Sequence, residues 1–209
     1  MSQPPKSSTT GRLFLPPHSV RRDFLPADMV AELFAYAQAN EERFVVSGVG
    51  VGPKRRVNPA LRVSRLLRDL GPLGEALRDR FRPLAPLLVS ELKMSPFEPG
   101  KIEVELAAHG DGAFYKRHLD TPRGADQRHR RRVLSGVYYF HAQPKGFSGG
   151  ALRLHDLFED GVHLDIEPEN NLCIFFPSWM PHEVRPVACP SNAFIDHRFA
   201  INCWFHRAA

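Results

Sequence analysis

The sequence predicts an α+β fold that is mainly β, with helices first and a β-sandwich or barrel-like core after them. Two observations predict it. Apolar residues recur at three- and four-residue steps in the first half of the chain, which is typical of helices. Beyond Gly100, short β-rich runs follow one another without intervening helices, as in sandwiches and barrels. We therefore expect a helical part over residues 25–95 and a β core over residues 100–206.

Helical periodicity first appears at Ala27, and a helix is expected to begin there. A second helical region is predicted from about residue 73 to 81. It should resume after Pro83 or Pro86 and run to about Leu92, because a proline either breaks a helix or occupies the first turn of a new one.

The second half of the chain consists of β-rich runs bounded by Gly, Pro, Asn and Asp, the residues that favour turns. No internal repeat is visible along the chain. The predicted strands are KIEVELAA, RVLSGVYYF, GALRLH, NLCIFFP, EVRPV and RFAINCWF.

The length of 209 residues suits one compact domain. We expect that domain to cover residues 21–209, and residues 1–20, rich in Ser, Thr and Pro, to form a flexible tail. The sequence contains neither a signal-peptide pattern nor an apolar run close to the roughly 20 residues that span a bilayer. Three cysteines without CxxC spacing argue against a disulfide framework and a cysteine zinc site. A soluble, cytoplasmic protein with no membrane partner is expected.

The formal net charge of +5 includes two basic clusters, at residues 54–56 and 128–132. Such clusters could attract an acidic surface or nucleic acid. No aromatic residue alternates with the arginines, and no nucleic-acid motif surrounds them. We therefore interpret both clusters as solvated loops or as the mouth of a substrate site.

A candidate metal site begins with His118 and Asp120, which stand two positions apart. On an extended segment, such residues project to the same side and can converge on one cation. His182, on a different predicted strand, offers a third ligand. Two histidines and one carboxylate can occupy one face of an octahedral metal and leave the other positions open, which suits non-haem Fe(II) oxygenases.

Arg198 opens the last predicted strand and supplies the second part of this pattern. An arginine that a strand buries needs a planar anion as its partner, because burial of an unpaired charge is costly. The distal carboxylate of 2-oxoglutarate offers a bidentate match.

From about residue 109 to 205 the chain resembles the prolyl-hydroxylase branch of the 2-oxoglutarate and Fe(II)-dependent dioxygenases. That branch includes the prolyl 4-hydroxylases, the oxygen-sensing prolyl hydroxylases of animals and their bacterial relatives. The resemblance implies a double-stranded β-helix, the jelly-roll or cupin-like core, with N-terminal helices packed on one sheet. It rests on the motifs YKRHLDTPRG, GVYYF, SGGALRL, PHEV and RFAINCWF.

Carried over residue by residue, the resemblance makes His118, Asp120 and His182 the iron ligands. It makes Arg198 the clamp on the C5 carboxylate of 2-oxoglutarate and Tyr139 a second hydrogen-bond donor to that carboxylate. It implies Fe(II) as cofactor, 2-oxoglutarate and O2 as co-substrates, ascorbate as reductant, and succinate and CO2 as products. The presence of Asp120 favours hydroxylation, because related halogenases lack this carboxylate.

The resemblance also places Tyr115, Trp204 and Arg123 around the substrate pocket, with residues 123–132 as a basic segment that helps to enclose a peptide. Two positions depart from the family. Ala108 stands where close relatives have a tyrosine, so one wall of the co-substrate pocket should differ. A longer spacing before Arg198 makes Arg185 a competitor for the anion, although we expect Arg185 to lie at the surface or rim.

The other polar and aromatic residues have simpler interpretations. Tyr138 and Tyr139 should face opposite sides of their strand, so that one of them lines the pocket. His155 and Asp156 are adjacent and should not share a metal, for the same reason. Surface or strand-end positions are expected for His109, His129, His141, His155, His163, His197 and His206.

The leading hypothesis is a hydroxylase whose partner is a protein or peptide containing a proline. The alternative is the same iron chemistry on a free amino acid or another small metabolite. A basic nucleic-acid-binding module without catalysis is a third reading, although we do not expect nucleic acid as a partner. A zinc hydrolase with the same three ligands is disfavoured because no clear general base accompanies them, although Glu183 next to His182 keeps that reading open.

Overall fold

A computed structural model describes residues 15–49, 56–121, 132–157 and 161–208. The α-helices are α1 (Ala27–Ala39), α2 (Pro72–Phe81) and α3 (Ala85–Glu91). The strands are β1 (Ser19–Arg21), β2 (Val45–Val46), β3 (Arg62–Val63), β4 (Arg65–Leu67), β5 (Pro99–His109), β6 (Phe114–His118), β7 (Arg132–Phe140), β8 (Ser148–Gly149), β9 (Leu152–His155), β10 (His163–Ile166), β11 (Leu172–Pro177), β12 (His182–Val184), β13 (Val187–Ala188) and β14 (Arg198–Arg207).

The strands form two large antiparallel sheets. The seven-stranded sheet has the order β1-β11-β7-β14-β5-β4-β2, and the five-stranded sheet has the order β10-β9-β12-β6-β3. A third, two-stranded sheet pairs β13 with β8. The predicted α+β fold with a double-stranded β-helix core is confirmed.

The seven-stranded sheet carries a different layer on each of its faces. Tyr138 belongs to the large core that also contains Leu77 and Phe81 of α2. Its neighbour Tyr139 belongs to a second core of residues from both large sheets, including Leu154 of β9. The prediction that the two tyrosines face opposite sides is confirmed, and the helices pack on one face of this sheet.

Phe81 shows how the helices are held. Its side chain is fully buried, and its ring makes edge contacts with Phe175 of β11 and Phe205 of β14 at centroid distances of 6.1 and 6.4 Å. Removing such a ring costs about 3–5 kcal/mol. The helical layer is therefore a firm backing for the seven-stranded sheet.

The helix predictions match the structure within a residue or two. α2 begins at Pro72, which follows Gly71 at φ +55°, and α3 carries Pro86 in its first turn. None of the described helices is both long and apolar enough to cross a membrane.

The structure describes only parts of the predicted N-terminal tail and of the two basic clusters. β1 begins at Ser19, inside the segment expected to be a flexible tail, and pairs with β11. Residues 1–14, 54–55 and 123–131 lie outside the described residues. Arg132, expected in a basic loop or pocket mouth, begins β7 instead, and its guanidinium lies 3.7 Å from the centroid of the Trp204 ring.

Candidate metal centre

Two neighbouring strands of the five-stranded sheet bring the three candidate ligands together. His118 ends β6, and His182 begins β12 directly opposite it in the strand pairing. Asp120 follows β6, and its backbone N–H donates to the carbonyl of Ser178 at 3.1 Å. Within the described ranges, His118, Asp120 and His182 are the one group of three or more His, Cys, Asp or Glu whose potential ligand atoms all lie within 4.8 Å of one another.

Hydrogen bonds to the backbone fix the orientation of both imidazoles. His118 Nδ1 lies 2.8 Å from the carbonyl oxygen of Lys116, and His182 Nδ1 lies 2.9 Å from that of Met180. Because a carbonyl oxygen only accepts, Nδ1 carries a proton in each ring, and in the neutral ring Nε2 is then the nitrogen with the lone pair. The two Nε2 atoms lie 3.9 and 3.6 Å from oxygens of Asp120. The arrangement therefore presents two imidazole lone pairs and a carboxylate to a common point.

The protonation states suit a cation as well. Burial, reinforced by the nearby His182, lowers the pKa of His118 to about 3, so this ring is neutral at ordinary pH. Burial alone would raise the pKa of Asp120, but His182, His118 and Arg132 outweigh that effect and keep the pKa below its usual range. Ser135 also donates a hydrogen bond to Asp120 Oδ2 at 2.6 Å. A neutral imidazole and an ionised carboxylate are the forms that bind metals.

Arg198 is the second feature of the site. It begins β14 and is only 1% exposed, yet none of the ion pairs among the described residues includes it. Its Nε donates to the carbonyl of Gly150 at 2.8 Å, and its guanidinium lies over the Tyr139 ring at 4.8 Å from the centroid. A buried cation without a carboxylate partner marks a place for an anion.

Two buried polar atoms in this pocket have no hydrogen-bond partner among the described residues: Arg198 Nη2 and the Tyr139 hydroxyl. Burial raises the pKa of Tyr139 to about 12, so its hydroxyl keeps the proton and can donate. Two unsatisfied donors on a buried cation and a phenol fit a carboxylate. The residues present therefore fit both an octahedral metal with oxygen and nitrogen ligands and a carboxylate-bearing co-substrate.

The aromatic residues expected around the pocket lie at different distances from the metal centre. Tyr115 stacks on His118 with ring centroids 3.5 Å apart, and the guanidinium of Arg62 covers its other side at 4.6 Å. Trp204 lies further along β14, opposite Ser135 of β7. Arg123 lies outside the described residues.

Some residues at the site escaped the sequence analysis. His109, expected at a surface or a strand end, is indeed the last residue of β5, but it is buried and its Nδ1 lies 3.3 Å from Arg198 Nη1. Ser135 and Ser178 join Asp120 in a buried hydroxyl chain. Alternation along β5 places His109 on the same face as Glu105. This alternation was the one signal in the sequence that could have pointed to His109.

The remaining histidines divide into two groups. His155 ends β9, and three others lie at or next to a strand end, as expected, although they are buried: His141, His197 and His206. His163 is exposed, as expected, and His129 lies outside the described residues. The expectation for Arg185 is confirmed, because its exposed side chain pairs with Glu183 at 3.1 Å.

A double-stranded β-helix that carries two histidines and an aspartate at adjacent strand ends defines the class of non-haem Fe(II) oxygenases. The chain belongs to the 2OG-Fe(II) oxygenase superfamily, which matches residues 104–206. Membership implies Fe(II), with 2-oxoglutarate and O2 as co-substrates, and a dioxygenase activity.

Similar proteins place the chain within this superfamily. An uncharacterized PKHD-type hydroxylase of Synechocystis sp. is 31% identical over 215 residues, which cover 99% of this chain and 69% of the relative. The crystal structure of a prolyl-4-hydroxylase of Pseudomonas putida matches with a TM-score of 0.69 and 28% identity over 92% of this chain and 94% of that one. Egl nine homolog 1 of Rattus norvegicus is 32% identical over 115 residues, 52% of this chain but only 30% of that protein.

Proposed function

We propose that this protein hydroxylates a prolyl residue in a protein or peptide and releases succinate and CO2. The iron ligands are His118, Asp120 and His182, and the 2-oxoglutarate ligands are Arg198 and Tyr139. One observation carries the proposal: a His-Asp-His cluster lies in the same barrel as a buried arginine that forms no ion pair with any described residue. The prolyl substrate is supported by the 28% identity to the Pseudomonas putida prolyl-4-hydroxylase over nearly the whole of both chains.

Fe(II) held there would supply the activation of O2 that couples decarboxylation of 2-oxoglutarate to hydroxylation of a C–H bond. His118 and His182 would each hold the metal through Nε2, because their Nδ1 protons are engaged by backbone carbonyls. Asp120 brings the negative charge, and its Oδ2 is already held by the hydroxyl of Ser135. Three fixed protein ligands would leave other coordination positions of the metal for the co-substrates.

Arg198 and Tyr139 bind and orient the co-substrate. Arg198 Nη2 and the Tyr139 hydroxyl, which have no hydrogen-bond partner among the described residues, would donate to its distal carboxylate, and that carboxylate would neutralise the buried guanidinium. Both side chains are almost fully buried, so the bound carboxylate is shielded from water. Charge-assisted hydrogen bonds of this kind are about twice as strong as neutral ones.

The substrate approaches from the side of Tyr115 and Trp204. Tyr115 covers one face of the His118 ring, and the guanidinium of Arg132 lies over the ring of the buried Trp204. Ascorbate as reductant and a cytoplasmic location belong to the same proposal, and the three free, buried cysteines suit a reducing compartment.

The test begins without oxygen. Addition of Fe(II) and 2-oxoglutarate to the metal-free protein should produce a metal-to-ligand charge-transfer band in the visible spectrum. Admission of O2 with a proline-containing peptide should then give succinate and a peptide heavier by one oxygen atom. A metal-loaded preparation that gives neither the band nor succinate would rule out the oxygenase assignment.

Variants and substrates separate the parts of the proposal. Asp120→Ala should abolish iron retention, whereas Arg198→Ala should mainly raise the 2-oxoglutarate requirement. Arg185→Ala is the matched control, because Arg185 is an exposed arginine paired with Glu183. Hydroxylation of free L-proline but of no peptide would transfer the substrate assignment to a free amino acid.

A further inference from the structure

The guanidinium of Arg198 is held on two of its three nitrogens. Nε donates to the carbonyl oxygen of Gly150 at 2.8 Å, and Nη1 lies 3.3 Å from His109 Nδ1. Nη2 has no partner among the described residues. Because the group is rigid and planar, fixing two nitrogens also fixes the direction in which the third one points.

The contact with His109 defines the state of its imidazole. An arginine only donates hydrogen bonds, so His109 Nδ1 must accept, and the ring must be neutral with its proton on Nε2. Burial lowers the pKa of His109 well below its usual value, and the nearby cations Arg198 and Arg62 lower it further. With 3% of its surface exposed, His109 has little access to water as an alternative partner.

Strand pairing explains why this histidine meets this arginine. His109 ends β5 and lies directly opposite Arg198 at the start of β14. Side chains at opposed positions of an antiparallel pair have Cβ atoms about 4.5–5.5 Å apart. Ala108, where the sequence departs from close relatives, pairs with Phe199 and belongs to the core beneath the helices. The side chain that forms this wall of the pocket is therefore His109.

We infer that His109 is a positioning residue, a neutral acceptor that orients Arg198 so that Nη2 is presented to the distal carboxylate of 2-oxoglutarate. This inference rests on the proposed function, because it assumes that Arg198 binds the co-substrate. His109 acts through Arg198 and not on the reacting atoms. Its loss should therefore weaken binding of 2-oxoglutarate while the turnover rate at saturation is preserved.

The experiment compares His109→Leu with His109→Asn. Leucine removes the acceptor, whereas the asparagine side-chain oxygen can stand in for Nδ1. The Fe(II) protein is titrated anaerobically with 2-oxoglutarate, and the charge-transfer band reports binding. His109→Leu should raise the dissociation constant about 10- to 100-fold, the range expected for loss of a hydrogen bond to a charged group. His109→Asn should stay within about 3-fold of the wild type, and kcat should change less than about 2-fold in either variant.

Controls separate this role from a merely structural one. Iron affinity and the thermal midpoint should be alike in His109→Asn and the wild type, and His163→Leu, at an exposed histidine, should bind 2-oxoglutarate normally. Should His109→Leu fail to fold, His109→Gln replaces it, because glutamine carries its oxygen at the wrong distance and should bind weakly. Equal binding by acceptor-free and wild-type proteins, or no rescue by asparagine, overturns the inference. A wild type that shows no charge-transfer band contradicts the proposed function instead.

Discussion

A hydroxyl group helps to hold the carboxylate of Asp120 in place. Ser135 donates to Asp120 Oδ2 at 2.6 Å, and the hydroxyl of Ser178 lies 2.9 Å from that of Ser135. All three side chains are buried, so water does not compete for these bonds. With Oδ2 engaged by Ser135, Oδ1 is the oxygen that remains more available to a cation. This type of support from behind a ligand tunes metal affinity in many proteins.

Replacement of Ser135 by alanine should therefore weaken metal binding. Asp120 would lose a donor and could rotate, and loss of such a supporting group typically costs about 10- to 100-fold in metal affinity. The measurement is a calorimetric titration of the metal-free protein with Fe(II) or Mn(II). Ser148→Ala, at an exposed serine of β8, is the matched control. Unchanged affinity in Ser135→Ala would show that the hydroxyl chain does not support the ligand.

The candidate site could be predicted from sequence only where the pattern is local. The spacing of His118 and Asp120 needs nothing beyond the alternation of an extended chain. The structure brings both together with His182, while their role as ligands stays a prediction. Ser135 and His109 were not predicted. His109 meets Arg198 across a strand pair whose register the sequence does not specify, and Ser135 of β7 meets Asp120, which follows a strand of the other large sheet.

At the scale of elements, long strands were predictable and short ones were not. β7 begins and ends at the predicted residues, because its run of nine residues is rich in β-formers. The predicted strand EVRPV is in fact two strands, β12 and β13. They are separated at Pro186, which has no N–H for the ladder. Strands of two residues such as β3 exist only through pairing, and carry too little pattern of their own.

The turn after β8 helps to position the side chain of Arg198. Gly150 adopts φ +72°, accepts a hydrogen bond from Arg198 Nε, and donates its N–H to the carbonyl of Pro186 at 3.0 Å. A Cβ at this position would lie 2.7 Å from Arg198 Cδ and 2.9 Å from Val187 Cγ2. Glycine is thus required both by the backbone conformation and by the approach of the arginine.

Gly150→Ala should consequently damage co-substrate binding. The added methyl group must displace Arg198, and a misplacement of about 1 Å can reduce a function about 100-fold. We expect a 10- to 100-fold higher dissociation constant for 2-oxoglutarate, taking about 100-fold as the upper bound, measured by the anaerobic charge-transfer titration. Gly112→Ala separates backbone strain from the steric clash with a neighbouring side chain. Gly112 has φ +67° but open space around its Cβ position. That variant should lose about 1–3 kcal/mol of stability from backbone strain and bind 2-oxoglutarate normally. Equal binding by both variants would contradict the steric argument.

For the whole molecule, the fold class could be predicted because segments with a helical pattern come first along the chain and β-rich segments follow. The order of strands within the sheets did not, because pairs such as β14 with β5 join residues far apart in sequence. One polar network lies across three adjacent strands of the large sheet. Glu103 of β5 accepts hydrogen bonds from Arg132 of β7 at 2.8 Å and from His206 of β14 at 3.0 Å.

This network should make stability depend on pH. Burial alone would raise the pKa of Glu103, but His206 and Arg132 outweigh it and lower the pKa to about 2. A carboxyl group whose pKa is depressed on folding stabilises the protein above its unfolded pKa, and that contribution disappears as the pH falls toward the folded value. The window therefore runs from about pH 5 down to about pH 2. Since the side chain is 36% exposed, we expect a discounted contribution of about 1–2 kcal/mol.

The comparison that tests this is the free energy of unfolding of wild type and Glu103→Gln, measured by chemical denaturation of metal-free protein between pH 7 and pH 3. Metal-free protein is used because loss of iron at low pH would otherwise add to the change. The wild type should be more stable by about 1–2 kcal/mol at pH 7, and the difference should shrink steadily below about pH 5. Glu98→Gln, at an exposed position of the same sheet region, should show no such trend. A difference that stays constant down to pH 3 would mean that ionisation of Glu103 does not stabilise the junction of these three strands.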